Sequence, residues 1–142
     1  MARRTSTSDP SPTPSATGPT VIALANQKGG VAKTTSVASL GAALAELGKR
    51  VLLVDLDPQA CLTFSLGVDP DTVERSVHDV LTGGVALADV VLTTEDGMDL
   101  VPSAIELAGA EAMLLSRPGR EYVLRTALEG ADTAYDLSLI HI

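Results

Sequence analysis

The chain has 142 residues, the size of about one ordinary domain, and a formal net charge of −8. That charge argues against a broad basic face for DNA, and a single cysteine, Cys61, excludes an internal disulfide or a paired-cysteine metal site. Hydrophobic residues make up 45% of the chain but aromatics only 2%, so a core has to be built from Leu, Val, Ala and Ile. No apolar run reaches the roughly 18 residues of a membrane span. Arg3 and Arg4 are not followed by the apolar stretch of a secretory signal, so a cytoplasmic setting is the default expectation.

Residues 1–19 are rich in Ser, Thr and Pro and have no hydrophobic period, which predicts a disordered, solvated leader. The alternative is a tail that touches DNA or a partner through Arg3 and Arg4. Residues 20–25 are continuously apolar after Thr20, as in a strand buried on both faces of a parallel sheet. Residues 26–35 then read Asn-Gln-Lys-Gly-Gly-Val-Ala-Lys-Thr-Thr. An apolar-periodic helix follows over 36–47, with Val37, Leu40, Leu44 and Leu47 on one stripe and Gly48 as its stop. A strand, a glycine-bearing loop and a helix start form the context of a phosphate-binding loop. Backbone N–H groups of Gly29, Gly30, Val31, Ala32 and the helix start would face an anion. Lys33 adds a mobile positive charge, and Thr34 and Thr35 add hydroxyls, that of Thr34 placed for Mg²⁺.

Residues 51–54 (Val-Leu-Leu-Val) predict a second buried strand, ending in Asp55-Leu-Asp57-Pro58-Gln59. Acidic residues at the carboxyl end of a parallel strand point towards the crevice where open α/β sheets bind ligands. Two aspartates spaced i, i+2 on extended chain share a face, and near a nucleotide they can hold Mg²⁺-bound water and orient an attacking water. Cys61 stands in an apolar setting, which predicts a buried, inert thiol. Residues 69–71 predict a turn. Residues 76–84 predict a short helix with Ser76 and Asp79 at capping-box spacing, and His78 a partly exposed position on it. Residues 86–93 fit a short helix or a strand. Residues 98–101 predict a third strand closed by Pro102. Ser103 and Glu106 predict a second capping box, followed by a helix with Ile105, Ala108, Ala112 and Leu115 on one face. Residues 121–128 predict a last helix, closed by Gly130.

The ordinary phosphate-loop pattern, G-x-x-x-x-G-K-[ST], is not met, because it needs glycine at Gln27 and Ala32. The string Lys28-Gly-Gly-Val-Ala-Lys33-Thr-Thr, with a second lysine in front, resembles the deviant Walker A ATPases of the ParA/MinD group. Asn26-Gln27 before it, and Asp55-Leu-Asp57-Pro-Gln59 after it, are most similar to the ParA (Soj) partitioning branch. Residues 60–68 resemble its switch I region. The likeness runs from about residue 20 to 136 and implies an α/β, P-loop NTPase-like parallel sheet with flanking helices. Ala32 departs from the commoner glycine: alanine costs little if the residue has helical φ and hampers binding if φ is positive.

The resemblance implies ATP over residues 29–35, with Lys33 on the β/γ-phosphates and Mg²⁺ on Thr34. Lys28 reaches across a dimer to the partner's nucleotide. Asp57 orients or activates the hydrolytic water, and Asp55 lies on the Mg²⁺ side. It further implies an ATP-dependent homodimer, cytoplasmic and nucleoid-associated, that binds DNA non-specifically and is stimulated by a ParB-type partner; no membrane is expected. A MinD-like membrane-cycling ATPase and a nucleotide-binding regulator without turnover are the alternatives. Cys61 alone gives no support for an iron–sulfur carrier, nor do Tyr122 and Tyr135 for a tyrosine kinase.

In that family an apolar strand ending in an acidic residue, the Walker B equivalent, should follow Asp136. Here residues 137–142 read Leu-Ser-Leu-Ile-His-Ile. These six residues are the translation of CTG TCT CTT ATA CAC ATC, the mosaic-end adapter of transposase-based DNA library preparation. The expectation is that 20–136 is the N-terminal half of an ATPase domain and 137–142 a non-native tail, although Leu139 and Ile140 are compatible with a strand. Such a product is expected to be poorly soluble and to hydrolyse little ATP, its sheet lacking strands and exposing apolar edges.

Overall fold

The computed structural model describes residues 19–131 and 134–142; the predicted leader lies outside them apart from Pro19. Five strands form one sheet: β1 (Thr20–Leu24), β2 (Val51–Asp55), β3 (Leu92–Thr93), β4 (Asp99–Val101) and β5 (Leu137–His141). Their spatial order is β1-β5-β2-β4-β3. β1 pairs with β5, β5 with β2, and β2 with β4, all parallel; only the short β3 runs antiparallel, against β4. Parallel neighbours need crossovers, and helices supply them: α1 (Lys33–Glu46), α2 (Cys61–Ser65), α3 (Val77–Thr82), α4 (Leu107–Leu115) and α5 (Val123–Glu129).

β2 explains the layering. All five of its residues are buried, and alternate side chains enter different cores. Leu52 and Val54 pack with Val77 and Val80 of α3, Leu107 and Ala110 of α4, Leu128 of α5 and Ile140 of β5. Val51 and Leu53 pack with Val37 of α1, Leu62 of α2, Met98, Leu100 and Leu139. The sheet is therefore the middle of three layers, as the α/β reading of the sequence requires.

Four packing expectations change. β1 was expected to be buried on both faces, yet it is the outermost strand, with Val21 49% and Ile22 37% exposed. An apolar run signals a strand but not its rank in the sheet, and β5 takes the place between β1 and β2. On α1, Val37 is buried but Leu40 is exposed and Leu47 is 76% exposed. The helix is rotated onto Gly41, where an added Cβ would stand 2.9 Å from Met98 Sδ and 3.0 Å from Leu53 Cδ2. The absence of a side chain lets the helix axis approach β2 there, with Ala38, Ala42 and Ala45 beside it. On α4, Leu107 and Ala110 are buried while Leu115 is exposed, as is Ile105 just before the helix. Cys61 is exposed, because at the first position of α2 its neighbour Leu62 takes the inward direction.

The capping expectations divide. Ser76 and Asp79 form the reciprocal capping box of α3. Ser103 does not cap α4, which begins only at Leu107, and the buried Ser103 Oγ has no hydrogen-bond partner among the described residues. Residues 86–93 become a 3₁₀ turn, Leu87–Asp89, followed by β3. Residues 121–128 become a 3₁₀ turn, Arg120–Tyr122, followed by α5. Residues 137–141 form a full strand, in register with β1 from Thr20↔Leu137 to Leu24↔His141.

Candidate nucleotide site

The carboxyl ends of β1, β5 and β2 lie side by side, and the residues singled out from the sequence collect there. β1 ends at Leu24, and residues 25–32 cross to the start of α1. The Asn26 side chain organises this loop by accepting the Lys28 backbone N–H at 2.9 Å. Lys33 folds back across the loop, its Nζ donating to the Asn26 carbonyl at 2.9 Å. Its charge therefore lies over the loop, where an entering anion would replace one carbonyl. No side chain caps α1, whose first N–H groups have no partner within the helix. Fourteen residues of aligned peptide dipoles add positive potential at the same place.

Gly30 and Ala32 both have left-handed backbone, with φ of 73° and 58°. Ala32 thus has the positive φ that favours glycine, and the conformation costs alanine roughly 1–2 kcal/mol. Gly29, Gly30, Val31 and Lys28 are exposed, and no heavy atom lies within 4 Å of a Cβ added at either glycine. The loop is open to a ligand rather than packed against the fold.

The carboxylate side is the opposite in character. Asp55 is fully buried at the end of β2. Its Oδ2 accepts the Thr63 N–H at 2.9 Å and the Thr63 hydroxyl at 2.8 Å. The Thr63 hydroxyl in turn accepts the Ser103 N–H at 2.9 Å. Asp55 Oδ1 accepts the Asp57 N–H at 3.2 Å and lies 3.2 Å from His141 Nδ1. A carboxylate only accepts, so Nδ1 carries the proton of that bond. The other ring nitrogen, Nε2, lies within hydrogen-bond distance of Thr34 Oγ1, at 3.1 Å. A chain of contacts thus runs Thr34–His141–Asp55–Asp57. Asp57 is half-buried beyond the strand, its Oδ1 accepting the Gln59 N–H at 3.0 Å. Ala60, with φ of 52°, turns the backbone from this segment into α2.

The structure brings Thr34, Asp55 and Asp57 together, and Lys33 lies at the loop's base. Lys28 stays on the exposed loop. Sequence reasoning missed Thr63, Ser103 and His141. A threonine eight residues after Asp55 carries no motif signal, and His141 falls in the stretch that departs from the family pattern.

The comparisons fit this geometry. A family profile described as an AAA domain (AAA_31) matches residues 19–142. The chain belongs to that family. It is 46% identical over 121 residues to the sporulation initiation inhibitor protein Soj of Bacillus subtilis, covering 84% of this chain and 48% of Soj. A solved structure titled cobyrinic acid a,c-diamide synthase from Mycobacterium smegmatis, with bound ATP analogue and magnesium, superposes with a TM-score of 0.85 at 61% identity. That match covers 86% of this chain and 50% of the other. The ATP complex of Cyanothece McdA(D38A) superposes at 0.79 with 28% identity, covering 88% and 48%. The likeness to ParA/Soj-type ATPases and their P-loop fold therefore holds, and the chain spans about half the length of the relatives it matches. Among the described residues no helix is long and apolar enough to cross a membrane.

Proposed function

We propose that the intact protein is a Mg-ATP-dependent, dimerising ATPase of chromosome or plasmid partitioning, and that this chain carries its phosphate-binding half. The observation that carries the proposal is the open loop 26–35 at the start of α1, with Lys33 folded over it and Thr34 at the carboxyl ends of the strands that carry Asp55 and Asp57. Phosphates fit this loop. Gly29 to Thr35 present backbone N–H groups at a helix N-terminus, and Lys33 neutralises charge on the β/γ-phosphates. Thr34 is the hydroxyl that would hold Mg²⁺, which when bound offsets phosphate charge. Asp57, half-buried and outside the strand ladder, orients the attacking water as an acceptor. Asp55 positions Asp57 by accepting its N–H. Lys28 is the exposed lysine available to a second subunit's nucleotide. Non-specific DNA binding in the ATP state, release by a ParB-type partner and a nucleoid-associated, cytoplasmic protein complete the proposal.

The experiment is Asp57→Ala in the full-length protein. Retained ATP binding with lost turnover and lost partner-driven DNA release supports it. Partner-driven release that survives the change favours the regulator without turnover. A second proposal, an ATP-dependent diamide synthase, is favoured by the 61% identity to the M. smegmatis protein so named. Assay of full-length protein with ATP, glutamine and a corrinoid acid separates the two, since only a synthase couples hydrolysis to amide formation.

Residues 137–142 are, on the same proposal, encoded by library adapter. Their forming β5 does not argue against this, because a ladder is made by backbone groups and needs only side chains that fit a buried strand. Amplifying the genomic locus with primers beyond the Asp136 codon tests it. An apolar strand with an acidic end in place of Leu-Ser-Leu-Ile-His-Ile supports it, and the same six codons in genomic DNA overturn it.

A further inference from the structure

Thr63 joins three parts of the fold through one hydroxyl. It lies on α2, is fully buried, and its Oγ1 donates to Asp55 Oδ2 at 2.8 Å. A carboxylate only accepts, so the single hydroxyl proton is committed to it and the oxygen keeps its lone pairs to offer. One of them accepts the Ser103 N–H at 2.9 Å, from the segment that leaves β4. The Thr63 N–H adds a second bond to Asp55 Oδ2, at 2.9 Å. Two donors thus hold one carboxylate oxygen, and the other, Oδ1, accepts the Asp57 N–H at 3.2 Å. An aspartate's last torsion is otherwise broad and nearly two-fold, so without the hydroxyl this acceptor is aimed less tightly. The Ser103 N–H would at the same time lose its partner in the interior. Asp55, Asp57, Thr63 and Ser103 all precede Asp136, within the part of the chain that the adapter proposal leaves native.

We propose that the Thr63 hydroxyl is a positioning group for hydrolysis: it fixes the Asp55 carboxylate, which in turn sets where Asp57 stands. The inference rests on Asp57 orienting the attacking water and adds the residue that keeps it in place. Thr63 is too deeply buried to touch substrate itself. It acts on the chemical step rather than on phosphate binding, because the loop 26–35 and Lys33 are held by Asn26 and not by Thr63. Serine keeps a donor and an acceptor at this position, cysteine keeps weak ones, and valine keeps the shape with neither.

The test uses the full-length protein and its Thr63→Val, Thr63→Ser and Thr63→Cys variants, with Asp57→Ala in parallel. Steady-state ATP hydrolysis gives kcat and KM, and fluorescent mant-ATP gives affinity, each below the variant's own unfolding temperature. Thr63→Val is expected to lower kcat about tenfold or more, as a small misplacement of a reacting group does. Its mant-ATP affinity is expected to change less than about twofold. Thr63→Ser is expected to restore kcat to within about threefold of the parent, with Thr63→Cys between the two. An unchanged kcat in Thr63→Val overturns the proposal, as does a loss of affinity equal to the loss of kcat, or a serine variant no better than the valine one. If Thr63→Val does not fold, Thr63→Cys decides by the same split between kcat and affinity. Parental turnover retained in Asp57→Ala refutes the role of Asp57 and the inference with it. A negative result confined to the Thr63 variants overturns the inference and leaves that role standing.

Discussion

β2 and β5 run side by side with a polar pair at each end. At the amino end Arg50 and Asp136 meet at 2.9 Å, with side chains 59% and 38% exposed. At the carboxyl end Asp55 and His141 meet at 3.2 Å, both within 1% of full burial. The exposed pair is shorter but worth less, because water solvates each partner equally well when they part. The buried pair has no such substitute, so losing either member leaves polar atoms without a partner in a low-dielectric interior. Burial, rather than distance, ranks the two.

The largest expected effect comes from removing the acceptor at the buried end. Asp55→Ala strands the Thr63 N–H, the Thr63 hydroxyl and the His141 ring together, and is expected to cost about 3 kcal/mol or more. The urea midpoint followed by circular dichroism measures it; a loss below about 1 kcal/mol would break the comparison. Thr63→Val removes one link, the hydroxyl between Asp55 and the Ser103 N–H, and is expected to cost about 1–2 kcal/mol in the same assay.

On the open side of the site, Ala32→Gly relieves left-handed strain but adds freedom to the unfolded chain. A net stabilisation below about 1 kcal/mol is expected, with tighter mant-ATP binding as the more visible result.

The smallest expected effect is at the exposed pair. The Arg50 hydrogen bonds hold the Asp136 carboxyl down at about 2, below its ordinary 3.8. A folded-state value below the unfolded one gives stability that is present above about pH 4 and lost as pH falls towards 2. Asp136→Asn is expected to flatten the acid limb of Tm against pH in that window by lowering Tm at pH 7 slightly, towards the parent's acid value, the change being small because the pair is exposed. A steep acid limb surviving in the variant would place acid sensitivity elsewhere in the chain. Tyr135, next in sequence, is raised to about 12 by burial and by its hydrogen bond to Asp99, so it stays a neutral donor throughout that window.

Local chemistry was legible where it is written in consecutive residues. The loop 26–35, the Asp-Leu-Asp-Pro run and the Ser76–Asp79 capping box each declare themselves by residue type at fixed spacing: the first joins β1 to α1, the second closes β2, and the third caps α3. The buried partners of Asp55 were not legible, because Thr63 reaches it from α2 and His141 from β5, and neither sits in a pattern. Cys61 misled because an apolar neighbourhood in sequence does not say which neighbour turns inward at the first residue of a short helix.

By itself the sequence determined most of the elements, their α/β class and the strand, loop and helix start over residues 20–47, since hydrophobic period, glycine placement and turn chemistry act over a few residues. The tertiary structure alone decided that the apolar run of β1 lies at an open edge, that α1 turns Gly41 inward, and that His141 stands between Thr34 and Asp55. Those three outcomes depend on which strand lies beside which, and β5, more than a hundred residues after β1, enters between β1 and β2 through backbone pairing that no local pattern encodes.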